Sequence, residues 1–287
     1  MNIPATNGVR DPDRFAQWEA IAFPGSVEQA RAGSVGKEQA MRAMKVAVER
    51  FYPDCIYAFG HGSSITGSYK AYSDLDVIVI NPPGSNWEIR HEVVEGFPVE
   101  FTTYSMDTVE VMAMLALHIR IPLGLLAWTG EIIVDNKGDA KEFQARMAAM
   151  AEQMPLIDRT HDRENTRAIL FTTLVDLRKD RGVEVAQAVI LNNYRAFITG
   201  ITLLANTWQH RSRHFVKNPD LPGSARITAL HSAIAKLMAG DIAPMIDFTE
   251  DLIEDLGGPL WSGRATSLEV RPEYLPVIRM LLTALSG

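Results

Sequence analysis

Cysteine is nearly missing from this chain: Cys55 is the single one in 287 residues. One thiol excludes an internal disulfide and fits a reducing compartment, so a cytoplasmic location is expected. Cys55 falls in an apolar run and reads as a buried, inert thiol. Long hydrophobic stretches are missing too. None approaches the roughly 18 apolar residues that span a bilayer, so no membrane partner is expected. Met1 to Gly8 offer no charged segment leading into an apolar one, and are not expected to act as a secretory signal. A basic surplus is also lacking. Net charge is −7. The acidic excess lies wholly in residues 1–140, with 11 Lys and Arg against 18 Asp and Glu, while residues 141–287 carry 17 of each. Duplex-binding proteins carry the opposite bias, so nucleic acid is not expected as a main partner. There is no internal repeat and no low-complexity segment. His91, His118, His161, His210 and His231 lack metal-ligand spacing and read as scattered structural residues.

A hydrophobic share of 47% with 22% charged residues suits a globular chain with a sizeable core. After a polar start with a short helix around Arg14–Ile21, a helix is expected from Ser26 or Ser34 to Phe51. Ala40, Met44, Ala47, Val48 and Phe51 recur there at helical spacing, and Pro53 ends it. Strands are expected at Cys55–Phe59, Asp74–Ile80, Phe97–Tyr104 and Glu131–Val134. Trp87–Val94 fits either a strand or a short helix. Asp107–Leu117 reads as a helix with Ser105 as N-cap. Beyond Gly138 the pattern becomes helical throughout: Ala140–Met154, Glu164–Lys179, Val183–His210, Arg226–Met238, Ile242–Leu256 and Glu273–Leu285. In the third of these, Val185, Val189, Tyr194, Phe197, Ile201, Leu204 and Trp208 form an apolar stripe. The expected architecture is α+β, with a mixed α+β domain over 1–138 (core about 34–136) and a helical bundle over 139–287.

The chemistry concentrates between Phe59 and Ile80. A glycine- and serine-rich turn, Gly62-Ser63 to Gly67, lies between two apolar runs, and the second run opens on Asp74 and Asp76. Residues i and i+2 of a strand share a face, so these carboxylates are expected side by side. Adjacent carboxylates repel unless a cation sits between them, and Mg²⁺ takes oxygen ligands of this kind. The turn offers backbone N–H groups and hydroxyls with little obstruction, which suits a phosphate. A phosphate cradle beside a metal-binding pair points to nucleotide chemistry.

The pattern Gly62-Ser63, Gly67, Ser73-Asp74-Leu75-Asp76 resembles the signature of the polymerase-β-like nucleotidyltransferase superfamily over roughly residues 40–136. That resemblance implies a third carboxylate on a neighbouring strand, and Glu100 in Val99-Glu100-Phe101 is the candidate. It implies two Mg²⁺ ions held by Asp74, Asp76 and Glu100, with ATP or another NTP as donor. Gly62 and Ser63 would contact the β- and γ-phosphates. Ser73 either caps the turn or touches the nucleotide. The implied reaction moves a nucleoside monophosphate to a hydroxyl and releases pyrophosphate. Glu100 is a candidate base for the hydroxyl proton. The chain departs from the pattern at Ser64-Ile65-Thr66, where many members carry an arginine. His61 before the motif is also unusual, and fits either a phosphate contact or a structural turn role.

The helical half looks like the bundles of small bacterial nucleotidyltransferases that modify aminoglycoside and lincosamide antibiotics. By that likeness Lys217, in the basic group Arg211, Arg213, His214 and Lys217, is the candidate to reach the triphosphate. The alternative is a solvated helix end that suits the helix dipole. The acidic stretch from Asp241 to Asp255 reads as a solvated face or an attraction for a cationic acceptor. Asp176 and Glu164 are further carboxylates available in the helical half. The expected function is transfer of AMP from ATP to a small-molecule hydroxyl, in a cleft between the two domains. A protein hydroxyl, or a nucleotide-binding module without activity, are the alternatives. Oligomeric state is not legible.

Overall fold

The computed structural model describes residues 12–23, 36–67, 73–119, 124–154, 158–179, 182–209 and 212–261, with the single positions 28 and 121. The fold is α+β, a five-stranded mixed sheet with helices followed by a helical region. The chain divides into two compact units. One contains the described residues of 1–115 and 123–150, the other those of 116–122 and 151–270. The expected helix over Glu273–Leu285, and the start of the helix expected from Ser26 or Ser34, lie outside the described residues.

The first unit is built on strands β1 (Tyr57–His61), β2 (Leu75–Asn81), β3 (Glu88–Val94), β4 (Phe97–Ser105) and β5 (Glu131–Asp135). Their order across the sheet is β3-β4-β2-β1-β5. The β2–β4 pairing is parallel, and the others are antiparallel. Trp87–Val94, ambiguous in sequence, is thus an edge strand. What settles it is the turn Glu95-Gly96, with φ of 49° and 86°. Two successive left-handed residues make the tight hairpin whose twist matches its strands.

One sheet face is covered by α2 (Lys37–Phe51). Its residues Ala40, Ala43, Met44, Ala47 and Val48 recur every three or four positions, forming one buried stripe. They pack with Leu75, Val77, Val79, Val99 and Phe101, alternate residues of β2 and β4. A shorter helix, α1 (Pro12–Ala22), precedes α2. On the opposite face Tyr57 and Phe59 of β1 meet Phe143 of α5 (Ala140–Ala151). The Phe59 and Phe143 rings stack with centroids 5.9 Å apart, and Tyr57 lies 5.0 Å from Phe143. Between the one-turn helix α3 (Ser63–Thr66) and α5 stand α4 (Val109–Ile119) and a 3-10 turn (Gly124–Thr129). Gln144 of α5 donates to the carbonyls of Ala127 and Gly130, fastening that turn. Ser105 does not cap α4 as expected. Its hydroxyl pairs with that of Thr108 at 2.7 Å, and the helix begins a residue beyond.

The helical unit contains α6 (Thr160–Leu177), α7 (Val183–Leu204), α8 (Ser212–Lys217), α9 (Ser224–Met238) and α10 (Ala243–Asp255). Leu170, Leu174, Ile190, Phe197, Ile201, Ile227, Leu237 and Leu252 belong to its core. Of the expected α7 stripe, Phe197 and Ile201 are fully buried and Tyr194 and Leu204 pack against the core, but its first turn departs from it. Ala186 and Ile190 are buried, whereas Val185 is 39% exposed. The helix also stops short of His210. Asn206 is left-handed at φ 47°, Asn206 N–H donates to Leu203 O, and Thr207 N–H to Thr202 O. This double bond pattern terminates a helix at its last carbonyls. Trp208 therefore lies beyond the helix, and Lys217 belongs to a separate short one.

Two predictions follow from the packing of the first unit. Phe143 is fully buried, so Phe143→Ala should cost about 3–5 kcal/mol in denaturant unfolding. Tyr57 donates its hydroxyl to Asp139, which, with Lys137, holds that carboxyl below its usual range. A lowered folded pKa stabilises above the unfolded value near 4 and is lost as pH falls through the folded one. Tyr57→Phe should therefore flatten the acid limb of a melting-temperature profile below about pH 4.

Candidate functional site

The site grows from the sheet register. In β1–β2, His61 is the partner of Asp76. In β2–β4, Asp76 is the partner of Glu100. In β3–β4, Glu100 is the partner of His91. Partnered residues project to the same face, so four strands carry one transverse row: His61, Asp76, Glu100, His91. Leu75, Val77, Val99 and Phe101, next to the carboxylates along the strands, go to the opposite face and into the α2 core.

Gly62 follows His61 at φ 80° and ψ −157°, a conformation that glycine alone adopts readily. The chain then makes the single helical turn α3, which ends on left-handed Gly67. The amides of Ile65 and Thr66 and the Thr66 hydroxyl donate back to Gly62 O. A Cβ at Gly62 would stand 2.0 Å from Asp76 Oδ2. The glycine is therefore required twice, by its backbone and by the carboxylate lying over it. Ser63 is half-buried behind it, and Ser64 is buried with no hydrogen-bond partner for its hydroxyl among the described residues.

Asp74 stands one residue ahead of β2, so the strand opens on Leu75 rather than on the first aspartate. It still lies near enough to act on His61. Burial pushes the His61 imidazole down to about 4, with the Asp74 carboxylate pulling the other way. A neutral imidazole at physiological pH offers hydrogen bonds to a phosphate, not a positive charge. At the other end of the row, His91 Nε2 donates to Glu100 Oε2 at 3.0 Å.

Asp74, Asp76 and Glu100 bring hard oxygen donors to one end of the sheet, chemistry that suits a hard divalent cation. Their carboxylates are not gathered on one point. Asp76 is turned over Gly62 and Glu100 toward His91, and among the described residues no three His, Cys, Asp or Glu side chains form a metal-holding group. Ser73 is half-buried just before Asp74. Lys217 is exposed at the end of α8, in the helical unit. Two carboxylates of that unit's acidic stretch are committed to ion pairs, Asp255 with Arg226 and Glu250 with Arg178. Asp176 pairs with Lys179 at 2.8 Å.

His91 is the residue that motif reasoning leaves out. A signal for it exists in the sequence. Counting outward from a two-residue turn at Glu95-Gly96 pairs Val94 with Phe97 and, three steps on, His91 with Glu100.

No family model matches the chain, and no curated protein matches it. Among solved structures, a nucleotidyltransferase-like protein from Exiguobacterium sibiricum 255-15 is similar over 75% of this chain and 74% of its own, with a TM-score of 0.41 and 13% identity. A likeness of that size assigns no role to any residue.

The double requirement at Gly62 gives a direct test. Gly62→Ala should cost about 1–3 kcal/mol by backbone strain alone. It should also displace the Asp76 carboxylate, seen as chemical-shift changes at Asp76 that Gly67→Ala does not reproduce, since a Cβ at Gly67 meets nothing within 4 Å.

Proposed function

We propose that this chain is a divalent-cation-dependent nucleotidyltransferase. It moves a nucleoside monophosphate, AMP from ATP in the first instance, to a hydroxyl of a small-molecule acceptor and releases pyrophosphate. The observation that carries this reading is the pairing of Asp76 with Glu100 on adjacent parallel strands, with the Asp76 carboxylate lying against the glycine turn at Gly62. The motif resemblance at Gly62-Ser63 and Asp74-Leu75-Asp76 supports it independently.

In this reading the acceptor oxygen forms a bond to the α-phosphorus as the bond from that phosphorus to the bridging oxygen breaks. Pyrophosphate carries away the electron pair. Glu100 accepts the hydroxyl proton, a role open to a carboxylate within hydrogen-bond reach. Gly62 and Ser63 hold the β- and γ-phosphates through a backbone amide and a hydroxyl, with His61 as a further neutral donor. Ser73 steadies the chain ahead of Asp74. Asp74, Asp76 and Glu100 would hold Mg²⁺, which when bound neutralises charge on the transferring phosphoryl group and its leaving oxygen.

A second reading is kept by one observation. Among the described residues no three His, Cys, Asp or Glu side chains are gathered on one point, as in a domain that binds nucleotide without turning it over. Pyrophosphate release from ATP, screened across hydroxylated small molecules and proteins with and without Mg²⁺, separates the two. Release that needs Mg²⁺ and an acceptor is expected. ATP binding with no release under any condition would favour the second. Asp76→Ala should abolish release and leave the melting temperature within a few degrees, because one of two neighbouring carboxylates at a half-exposed position is removed. Retained transfer would overturn the assignment.

A further inference from the structure

We infer that His91 is a positioning residue for Glu100. Its imidazole N–H fixes the Glu100 carboxylate in the row beside Asp76 and leaves Oε1 as the oxygen available for ligand or proton. This inference rests on the role given to Glu100 under the proposed function.

Three observations carry it. The first is register. The turn Glu95-Gly96 locks β3 against β4 with both turn residues at positive φ, and this sets His91 opposite Glu100. A slip of one residue would send His91 to the α2 face. The second is exclusivity. Glu88, Arg90 and Glu92 alternate with His91 and are engaged on the α2 side. Arg90 lies 4.5 Å over the Phe51 ring and pairs with Glu92, and Glu88 accepts from Tyr52. On the site's face β3 presents Ile89, His91 and Val93, so His91 is its sole hydrogen-bonding side chain there. The third is exposure. The side chain of His91 is 69% exposed and that of Glu100 is 34% exposed. A bond at such a rim does little for folding. It does hold a long carboxylate that would otherwise sample several rotamers, and outer-shell partners of this kind orient ligating carboxylates.

The test compares His91→Phe, which removes the donor, with His91→Gln, which keeps an N–H on a side chain of similar reach. Both are made in the wild-type and Glu100→Gln backgrounds. Two readouts are taken: pyrophosphate release from ATP, and Mn²⁺ binding to the full chain followed by electron paramagnetic resonance without nucleotide. His91→Phe should lower kcat about 10–100-fold and weaken Mn²⁺ binding by a similar factor. KM for ATP should stay within about twofold, because the nucleotide contacts are elsewhere. His91→Gln should recover most of both losses. In the Glu100→Gln background His91→Phe should add nothing, since the effect passes through that carboxylate. The inference is overturned by wild-type kcat and Mn²⁺ affinity in His91→Phe, by a loss confined to KM, by a loss Gln does not recover, or by an equal loss without Glu100. A wild-type chain that neither binds Mn²⁺ nor releases pyrophosphate overturns the proposed function as well. A wild type that does both beside an indifferent His91→Phe overturns this inference alone.

Discussion

The parallel pairing of β2 with β4 is the constraint on which the rest of the site depends. It sets Asp76 against Glu100 although they are distant in sequence. Side-chain direction in a strand alternates, so a shift of one residue would turn the carboxylate of the slipped strand toward α2 and its apolar neighbours away from that core. The apolar residues flanking the carboxylates therefore fix where the carboxylates go. Leu75, Val77, Val99 and Phe101 are all nearly inaccessible, and burying them makes any other register costly.

That constraint leaves two negative groups on neighbouring strands, a repulsive arrangement in the absence of a cation. Each carboxylate has its own neighbour. Asp76 turns over the bare backbone of Gly62, and Glu100 turns to His91. Both positions are half-exposed, where water screens the repulsion. The strained backbone at Gly62 is tolerated because strands on one side and α3 on the other hold the chain ends. A glycine in a conformation closed to other residues, beside paired carboxylates, is a concentration of local cost that a purely structural turn does not need.

Much of this was legible in the sequence, for identifiable reasons. The α+β class and the change to helices after Gly138 follow from hydrophobic period and turn residues. Glu100 as the partner of Asp76 was expected through the family resemblance carried by Gly62-Ser63 and Asp74-Leu75-Asp76, and the strand register pairs them. The end of α7 was not legible, because Asn206 halts the helix through a left-handed backbone inside an otherwise continuous apolar pattern. Val185 is exposed because the buried stripe follows Ala186 and Ile190, and small and large apolar residues alternate too closely there to rank by type. His91 was missed because a lone histidine on an edge strand carries no motif; only its place in a hairpin register gives it meaning.

The row at the end of the sheet is the proposed cation and nucleotide site. The most direct measurement is a crystal structure of the chain grown with Mn²⁺ and a non-hydrolysable ATP analogue, with data collected at the manganese edge. Anomalous density bounded by Asp74, Asp76 and Glu100 is expected, with the analogue's phosphates against Gly62 and Ser63. Manganese or nucleotide ordered elsewhere on the chain, with none at these carboxylates, would overturn the proposal.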